Sequence, residues 1–334
     1  MTKTIPLIRA ANVVPLVRWI EANRLSSEVY LAEADLDYWF ALAPTDPIPL
    51  RSGIALLRAL SRDHGPGIGN SIVTQASVAE LGFIGSVALG ARSPLEALQR
   101  LSTAMPLHSS HELFDIKVEA DEVNVTHAFS CRVDDESVHV VQVLLLSMLQ
   151  QVLKFTGLQP PLFRRARILP HPDCGLSHVS IEFSDGVYPS ARRKLVVSID
   201  PTIARIPFPT VARDRAANFH ARRIPPLTTD CSLAASVQPV IAAMLHGGEP
   251  TIERIARAYG SSVRSLQRRL RDENTSYSEQ LDLVRRNLAL AYLSSESVSL
   301  SDLSERLGYS AQSALSRAVR RLTGRTPTAL ASDD

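Results

Sequence analysis

Apolar positions along this chain recur with two periods, and the change of period marks a change of element. Val13, Val14, Leu16, Val17 and Ile20 recur at three-to-four spacing, which predicts an amphipathic helix across 13–25. Ile54 to Arg62 reads as another helix. Ser93-Pro94-Leu95-Glu96 predicts a helix start, because serine accepts a free N–H, proline at the first position costs no hydrogen bond, and Glu96 can reach back. That helix runs from Pro94 to about Thr103. Leu113 to Val118 and Val123 to Phe129 alternate with period two about Ala120-Asp121-Glu122, the pattern of a hairpin. Val138 to Phe155 is apolar nearly all round and predicts a helix buried against that sheet on more than one side. Val179 to Phe183 and Leu195 to Ile199 read as two further strands. Residues 1–205 are therefore expected to form an α/β domain.

The pattern breaks between Ile206 and Asp230, where Pro207, Pro209, Pro225 and Pro226 interrupt a stretch with few periodic apolar residues. Residues 206–229 read as a linker and 230–334 as a second domain, almost wholly helical. A weak repeat lies within it. Thr251 to Gly260 matches Ser299 to Gly308 with a shift of 48, and after the turn Leu266, Arg268 and Leu270 align with Leu315, Arg317 and Val319 at a shift of 49. Each copy is a short helix, a turn containing Gly, and a second helix rich in Arg and small polar residues, the helix-turn-helix pattern. A helix from about Ser278 to Leu293, with Leu281, Val284, Leu288 and Tyr292 on one stripe, joins the copies. Its length of roughly 24 Å suits two recognition helices set about 34 Å apart, one turn of DNA.

Charge sharpens this reading. Over the whole chain 36 basic and 34 acidic residues nearly cancel, but Pro250 to Arg325 holds 13 Arg, no Lys and 8 acidic residues. In the first copy Leu266 and Leu270 face inward, leaving Arg264, Gln267, Arg268 and Arg271 on the other side; in the second, Gln312, Ser313, Ser316, Arg317 and Arg320 take the corresponding face. Arg can donate two bonds to guanine and Gln can pair with adenine, so these faces carry the side chains that major-groove reading requires. Double-stranded DNA is the expected partner.

Residues 230 to 330 resemble the DNA-binding domain of AraC-type transcription regulators. The resemblance is carried by Ser265-Leu266-Gln267-Arg268-Arg269-Leu270, by Leu281 to Leu293, by Leu307-Gly308-Tyr309-Ser310 leading to Ser313-Ala314-Leu315-Ser316-Arg317-Ala318, and by Thr323-Gly324-Arg325-Thr326-Pro327. Leu315, Val319 and Leu322 stand where that family usually has aromatic residues. Residues 15 to 205 resemble, more weakly, the α/β regulatory domain of one AraC-type branch, around Ala79 to Gly85 and Ser93 to Leu98. The resemblance implies a sensor or dimerisation domain ahead of the DNA reader, a homodimer through that domain, and activation by contact with RNA polymerase. A small-molecule effector is expected in the N-terminal domain, where the helix Val138 to Phe155 suits a largely hydrophobic pocket or simply core.

Other chemistry is weakly signalled. Gly65-Pro66-Gly67-Ile68-Gly69-Asn70 imitates a dinucleotide loop but follows a helix rather than a strand. His108 and His111 could share a helix face, and Cys131 near His127 and His139 could be a thiol site, against the commoner reading of an inert buried cysteine. No nucleophile elbow or paired acidic motif is present, and no catalytic residue, cofactor or metal is expected. The three cysteines form neither a disulfide framework nor a zinc box. Met1 to Asn12 has no apolar leader core, and Val138 to Leu153 is interrupted by His139, Gln142, Gln150 and Gln151, so a cytoplasmic protein without a membrane span is expected. The alternative is an enzyme or ligand-binding protein whose C-terminal helices serve assembly.

Overall fold

The computed structural model describes residues 3–209, 231–247 and 249–293, with 224, 226, 227, 304, 307, 313, 316, 317 and 320 as single positions. An α/β region is followed by a helical region, the layout the two periodicities predict. Its elements in chain order are β1 (Leu7–Arg9), α1 (Val14–Ala22), α2 (Ser27–Glu33), β2 (Pro47–Pro49), α3 (Leu50–His64), α4 (Ile68–Ile72), α5 (Ser77–Glu80), α6 (Phe83–Leu89), α7 (Pro94–His108), β3 (Glu112–Val118), β4 (Val123–Phe129), α8 (Asp135–Lys154), β5 (Phe163–Ile168), β6 (Phe183–Pro189), β7 (Lys194–Ile199) and α9 (Pro201–Arg205). The helical region brings α10 (Leu233–Leu245), α11 (Ile252–Tyr259), α12 (Val263–Asp272) and α13 (Tyr277–Leu293).

The main sheet has the order β3-β4-β7-β5-β6. All its pairings are antiparallel except β5 with β6. The predicted hairpin is β3–β4, in register Val118↔Val123. Helices α7 and α8 cover one face, where Leu98, Val143, Leu146, Leu149 and Leu153 pack on Val125, Ala166 and Val197. Helix α7 begins as predicted, with Ser93 accepting from Glu96 N–H at 3.3 Å. Glu96 reaches back one residue further than a capping box would take it, to Arg92 N–H at 3.0 Å.

Three expectations need correction. Val179 to Phe183 alternates like a strand, yet the strand starts at Phe183 and continues to Pro189, because its partner β5, which periodicity did not mark, pairs from Phe163 onward. Helix α8 starts at Asp135, not Val138: the Asp134 carboxylate accepts from Ser137 N–H and fixes the first turn. The helix is thereby long and apolar enough to cross a bilayer, contrary to the reading from sequence, but 67% of its apolar window is buried inside the fold, as in a core helix.

A second hydrophobic core joins the two regions. Ile5, Leu7, Ile48 and Leu56 belong to the same buried cluster as Val237, Ile241, Ile255 and Leu266. Ile5 N–H also donates to the Ser236 hydroxyl at 2.9 Å, a buried bond between chain positions far apart. Helix α10 thus packs along the β1–β2 ribbon, and α11 and α12 follow it into the same core. From the predicted linker, Phe208 N–H donates to Arg92 C=O at 2.8 Å and its ring meets Phe155 edge-on.

Candidate nucleic-acid interface and an apolar cavity

The first helix-turn-helix unit is specified residue by residue. Thr251 caps α11 by accepting from Arg254 N–H at 3.3 Å. Gly260 ends it with φ +75° and ψ +40°, the left-handed conformation that favours glycine, and Ser261 N–H closes the turn on Ala256 C=O at 2.9 Å. A Cβ at Gly260 would also stand 2.5 Å from the guanidinium of Arg51 on α3, whose flexible end would have to swing aside. Ser262 then caps α12 through Ser265 N–H.

Leu266 and Leu270 are buried on α12, while Arg264, Gln267, Arg268 and Arg271 are all exposed on its outer face. The four predicted readers of the first copy therefore lie together on one surface. Arg269, between them in sequence, is turned inward with its guanidinium 5.6 Å from the centre of the Tyr259 ring. Glu273 at the helix end accepts from Leu233 and Ala234 N–H at 2.9 and 2.8 Å, so its carboxylate caps α10. Two further arginines of the basic stretch are occupied: Arg257 forks onto Asp35, and Arg254 pairs with Asp35 and Asp37.

Helix α13 opens with a reciprocal capping box that sequence reasoning missed: Ser276 N–H donates to Glu279 Oε2 at 2.7 Å, and Glu279 N–H to Ser276 Oγ at 3.3 Å. The signal was present as Ser276-Tyr277-Ser278-Glu279. Seventeen residues give α13 a length of about 25 Å. Of the second copy's face, Gln312 lies outside the described residues, while Ser313, Arg317 and Arg320 are exposed and Ser316 is partly exposed.

The second site is a cavity of about 130 Å³ walled by α3, α6, α7 and α8. Its lining is overwhelmingly aliphatic, with Leu57, Ile84, Met105, Leu145, Leu149 and Val152 among the contributors. At one end stand three titratable groups, His108, Glu112 and His127. Glu112 Oε1 lies 3.9 Å from His127 Nε2. Both His108 Nδ1 and His127 Nδ1 are buried without a hydrogen-bond partner. Burial pushes His108 down to about 3, helped by the charge of Arg9, and His127 down to about 4. It pushes the Glu112 carboxyl up to about 7, with the Ser109 hydroxyl pulling the other way. Both imidazoles are thus neutral near physiological pH.

This overturns the suggestion that His108 and His111 share a helix face. His108 is the last residue of α7 and faces the cavity, whereas His111 follows in the connection to β3 with its Nδ1 2.7 Å from Ser110 Oγ. Among the described residues no group of three His, Cys, Asp or Glu is arranged to hold a metal ion. Nor is Cys131 an activated thiol, since it is half-buried and burial raises its pKa. His139 is engaged elsewhere, with Nδ1 2.6 Å from Leu169 C=O and Nε2 2.6 Å from His178 Nε2. The Gly65 to Asn70 segment follows a helix and leads into α4, as expected of a plain connection.

Comparison with known proteins agrees with the geometry of the helical region. A family model described as a helix-turn-helix domain matches residues 255–332. The ornithine utilization regulator of Pseudomonas aeruginosa is 39% identical over 82 residues, 25% of this chain and 24% of that protein. The HTH-type transcriptional regulator VirS of Mycobacterium tuberculosis is 37% identical over 101 residues, 30% of each chain. The matched part thus spans only 24–30% of these relatives' length. Among solved structures, transcriptional regulator CdpR from Pseudomonas aeruginosa aligns over 95% of this chain and 96% of its own at 22% identity and a TM-score of 0.38. A DNA-binding transcriptional dual regulator from Escherichia coli K-12 aligns over 29% of this chain and 87% of its own, at 31% identity and a TM-score of 0.28. The C-terminal region carries a helix-turn-helix domain. It is of the AraC type.

Proposed function

We propose that this chain is a sequence-specific DNA-binding transcription regulator. The observation that carries the reading is the outer face of α12, where Arg264, Gln267, Arg268 and Arg271 stand exposed together while Leu266 and Leu270 fix the helix to its core. Gln267 and Arg268 are assigned to base edges, with Arg264 and Arg271 beside them, and the second unit adds Gln312, Ser313, Ser316, Arg317 and Arg320. By family resemblance the protein activates transcription in the cytoplasm through contact with RNA polymerase and forms a homodimer through its N-terminal region.

A small molecule in the cavity is proposed to gate this reader. Helix α3 supports the idea: Leu50, Gly53, Ile54 and Leu57 line the cavity, while Arg51 of the same helix lies against Gly260 in the helix-turn-helix turn. A ligand that binds one setting of α3 better than another biases the reading head by that difference in affinity. The test is titration of a labelled promoter fragment from beside the gene at two salt concentrations. Binding that survives competitor DNA supports the regulator, and binding abolished by competitor at both salts refutes it.

A further inference from the structure

The polar end of the cavity has a definite chemical character. Among the described residues the only basic group within 4 Å of the Glu112 carboxylate is His127 Nε2, at 3.9 Å. Arg9, whose charge also lowers the His108 pKa, donates to Leu107 C=O at 2.9 Å and to Thr45 C=O at 2.6 Å, and sits in the field of Asp46. With the His127 proton on Nε2, toward the carboxylate, its buried Nδ1 becomes a lone pair without a donor. His108 Nδ1 is likewise unmatched. The cluster therefore carries one negative charge when Glu112 is ionised, with no cation within 4 Å of it among the described residues, and is walled by aliphatic side chains.

Size narrows the occupant. A dry apolar cavity of about 150 Å³ admits benzene; this one measures about 130 Å³ and is partly open to solvent, so a single ring or short alkyl body fills it and a further atom or two can be accommodated toward the opening. We infer that the cavity takes a small apolar amine, one ring or short alkyl body bearing a single ammonium group, which is received by the Glu112 carboxylate. An acid of the same shape would meet the charge of Glu112, and an alcohol would leave that charge unanswered. The inference rests on the reading of the cavity as the effector site. It assigns to that site the ligand class and the carboxylate that selects it. The raised Glu112 pKa agrees, since it marks a buried carboxyl that lacks a cation.

Benzylamine, benzyl alcohol and benzoate share one apolar body and differ only in the head group. Each is titrated calorimetrically into the full chain and into Glu112→Gln, and each is added to the promoter-binding assay. Benzylamine should bind most tightly and lose on the order of tenfold or more in affinity in Glu112→Gln, while benzyl alcohol changes little. In the unmodified chain benzylamine should also bind more tightly at pH 8 than at pH 6, because the carboxyl must give up its proton; His108 and His127 stay neutral throughout that range. This second reading holds the test open should the variant fail to fold. Alcohol or acid binding as tightly as the amine, or an amine affinity indifferent to both Glu112→Gln and pH, overturns the inference. If the alcohol or acid shifts DNA affinity, gating survives and only the amine falls. If benzylamine binds through Glu112 without changing DNA affinity, the amine stands and gating falls. If no probe binds, the amine inference falls.

Discussion

Arg257 grips Asp35 with both arms of its guanidinium, Nε to Oδ2 at 2.6 Å and Nη2 to Oδ1 at 2.8 Å. Arg254, one turn earlier on α11, reaches the same carboxylate and that of Asp37. Asp35 holds its position with a left-handed φ of 58°, at the end of α2. Basic residues of the helix-turn-helix unit are thus committed to acidic residues of the α/β region, and the local positive excess overstates what α11 offers to phosphate.

Removing this clamp should loosen the seam without unfolding either side. Arg257 is largely exposed, so its pair contributes only about 0.2–1 kcal/mol, whereas Arg254 is only 11% exposed and loses both of its carboxylates together. The double variant Asp35→Asn, Asp37→Asn is therefore expected to lose about 2–4 kcal/mol in urea unfolding, with only the Arg257 part of the loss shrinking at high salt. A loss under about 1 kcal/mol that vanishes at high salt would show that Arg254 is as solvated as a surface arginine.

Gly260 should be intolerant of a side chain chiefly because of its backbone. The left-handed conformation costs a non-glycine residue about 1 kcal/mol, while the Arg51 guanidinium in the path of a Cβ is the end of a flexible side chain and can swing aside. Gly260→Ala is expected to cost about 1 kcal/mol, and nearly the same in an Arg51→Ala background. A double-mutant cycle in denaturant reads this; a coupling well above about 0.5 kcal/mol would show that the guanidinium is held in place.

Much of this was legible in the sequence. Ser93, Gly260 and Ser262 act within a few residues of themselves, so their roles as caps and turn can be read locally. The exposed face of α12 follows from Leu266 and Leu270, four residues apart. The cavity has no local signature, because Leu57, Met105, His127 and Leu149 meet only after the helices fold over the sheet. Strand β6 was misplaced for a similar reason. Val179 to Phe183 alternates, but an edge strand's limits are set by its partner, here β5. The clamp was invisible because Asp35 and Arg257 lie far apart in the chain.

Glu112 should impose a measurable pH dependence. Its carboxyl is raised to about 7, so between an unfolded value near 4.5 and that point the folded chain holds a proton the unfolded chain releases. Stability from this group is full at low pH and is lost as pH rises through about 7. His108 and His127, lowered to about 3 and 4, act oppositely: their contribution is lost as pH falls from 6.5 towards those values. Comparing the native chain with Glu112→Gln isolates the carboxyl. From pH 5 to pH 8 the glutamine variant should gain about 2–3 kcal/mol relative to the parent in urea unfolding. A flat difference would place Glu112 in a wetter site than the structure gives it.

The adjacent arginines of α12 should separate reading from folding. Arg268 is exposed beside Gln267, whereas Arg269 lies over the Tyr259 ring. Arg268→Ala is expected to cost about 1–3 kcal/mol on the cognate site, relax preference at one base position and leave the melting temperature nearly unchanged. Arg269→Ala should lower stability by about 0.5–1 kcal/mol through the lost cation–π contact while discrimination between cognate and scrambled duplexes survives. A phosphate contact behaves in a third way, weakening all sequences alike and reducing the salt slope by about one unit. Both variants are therefore titrated against cognate and scrambled duplexes across a salt series, beside a thermal melt. If Arg268→Ala keeps full discrimination and merely flattens the salt slope, α12 meets the backbone, not the bases, and the proposed docking of this helix is wrong.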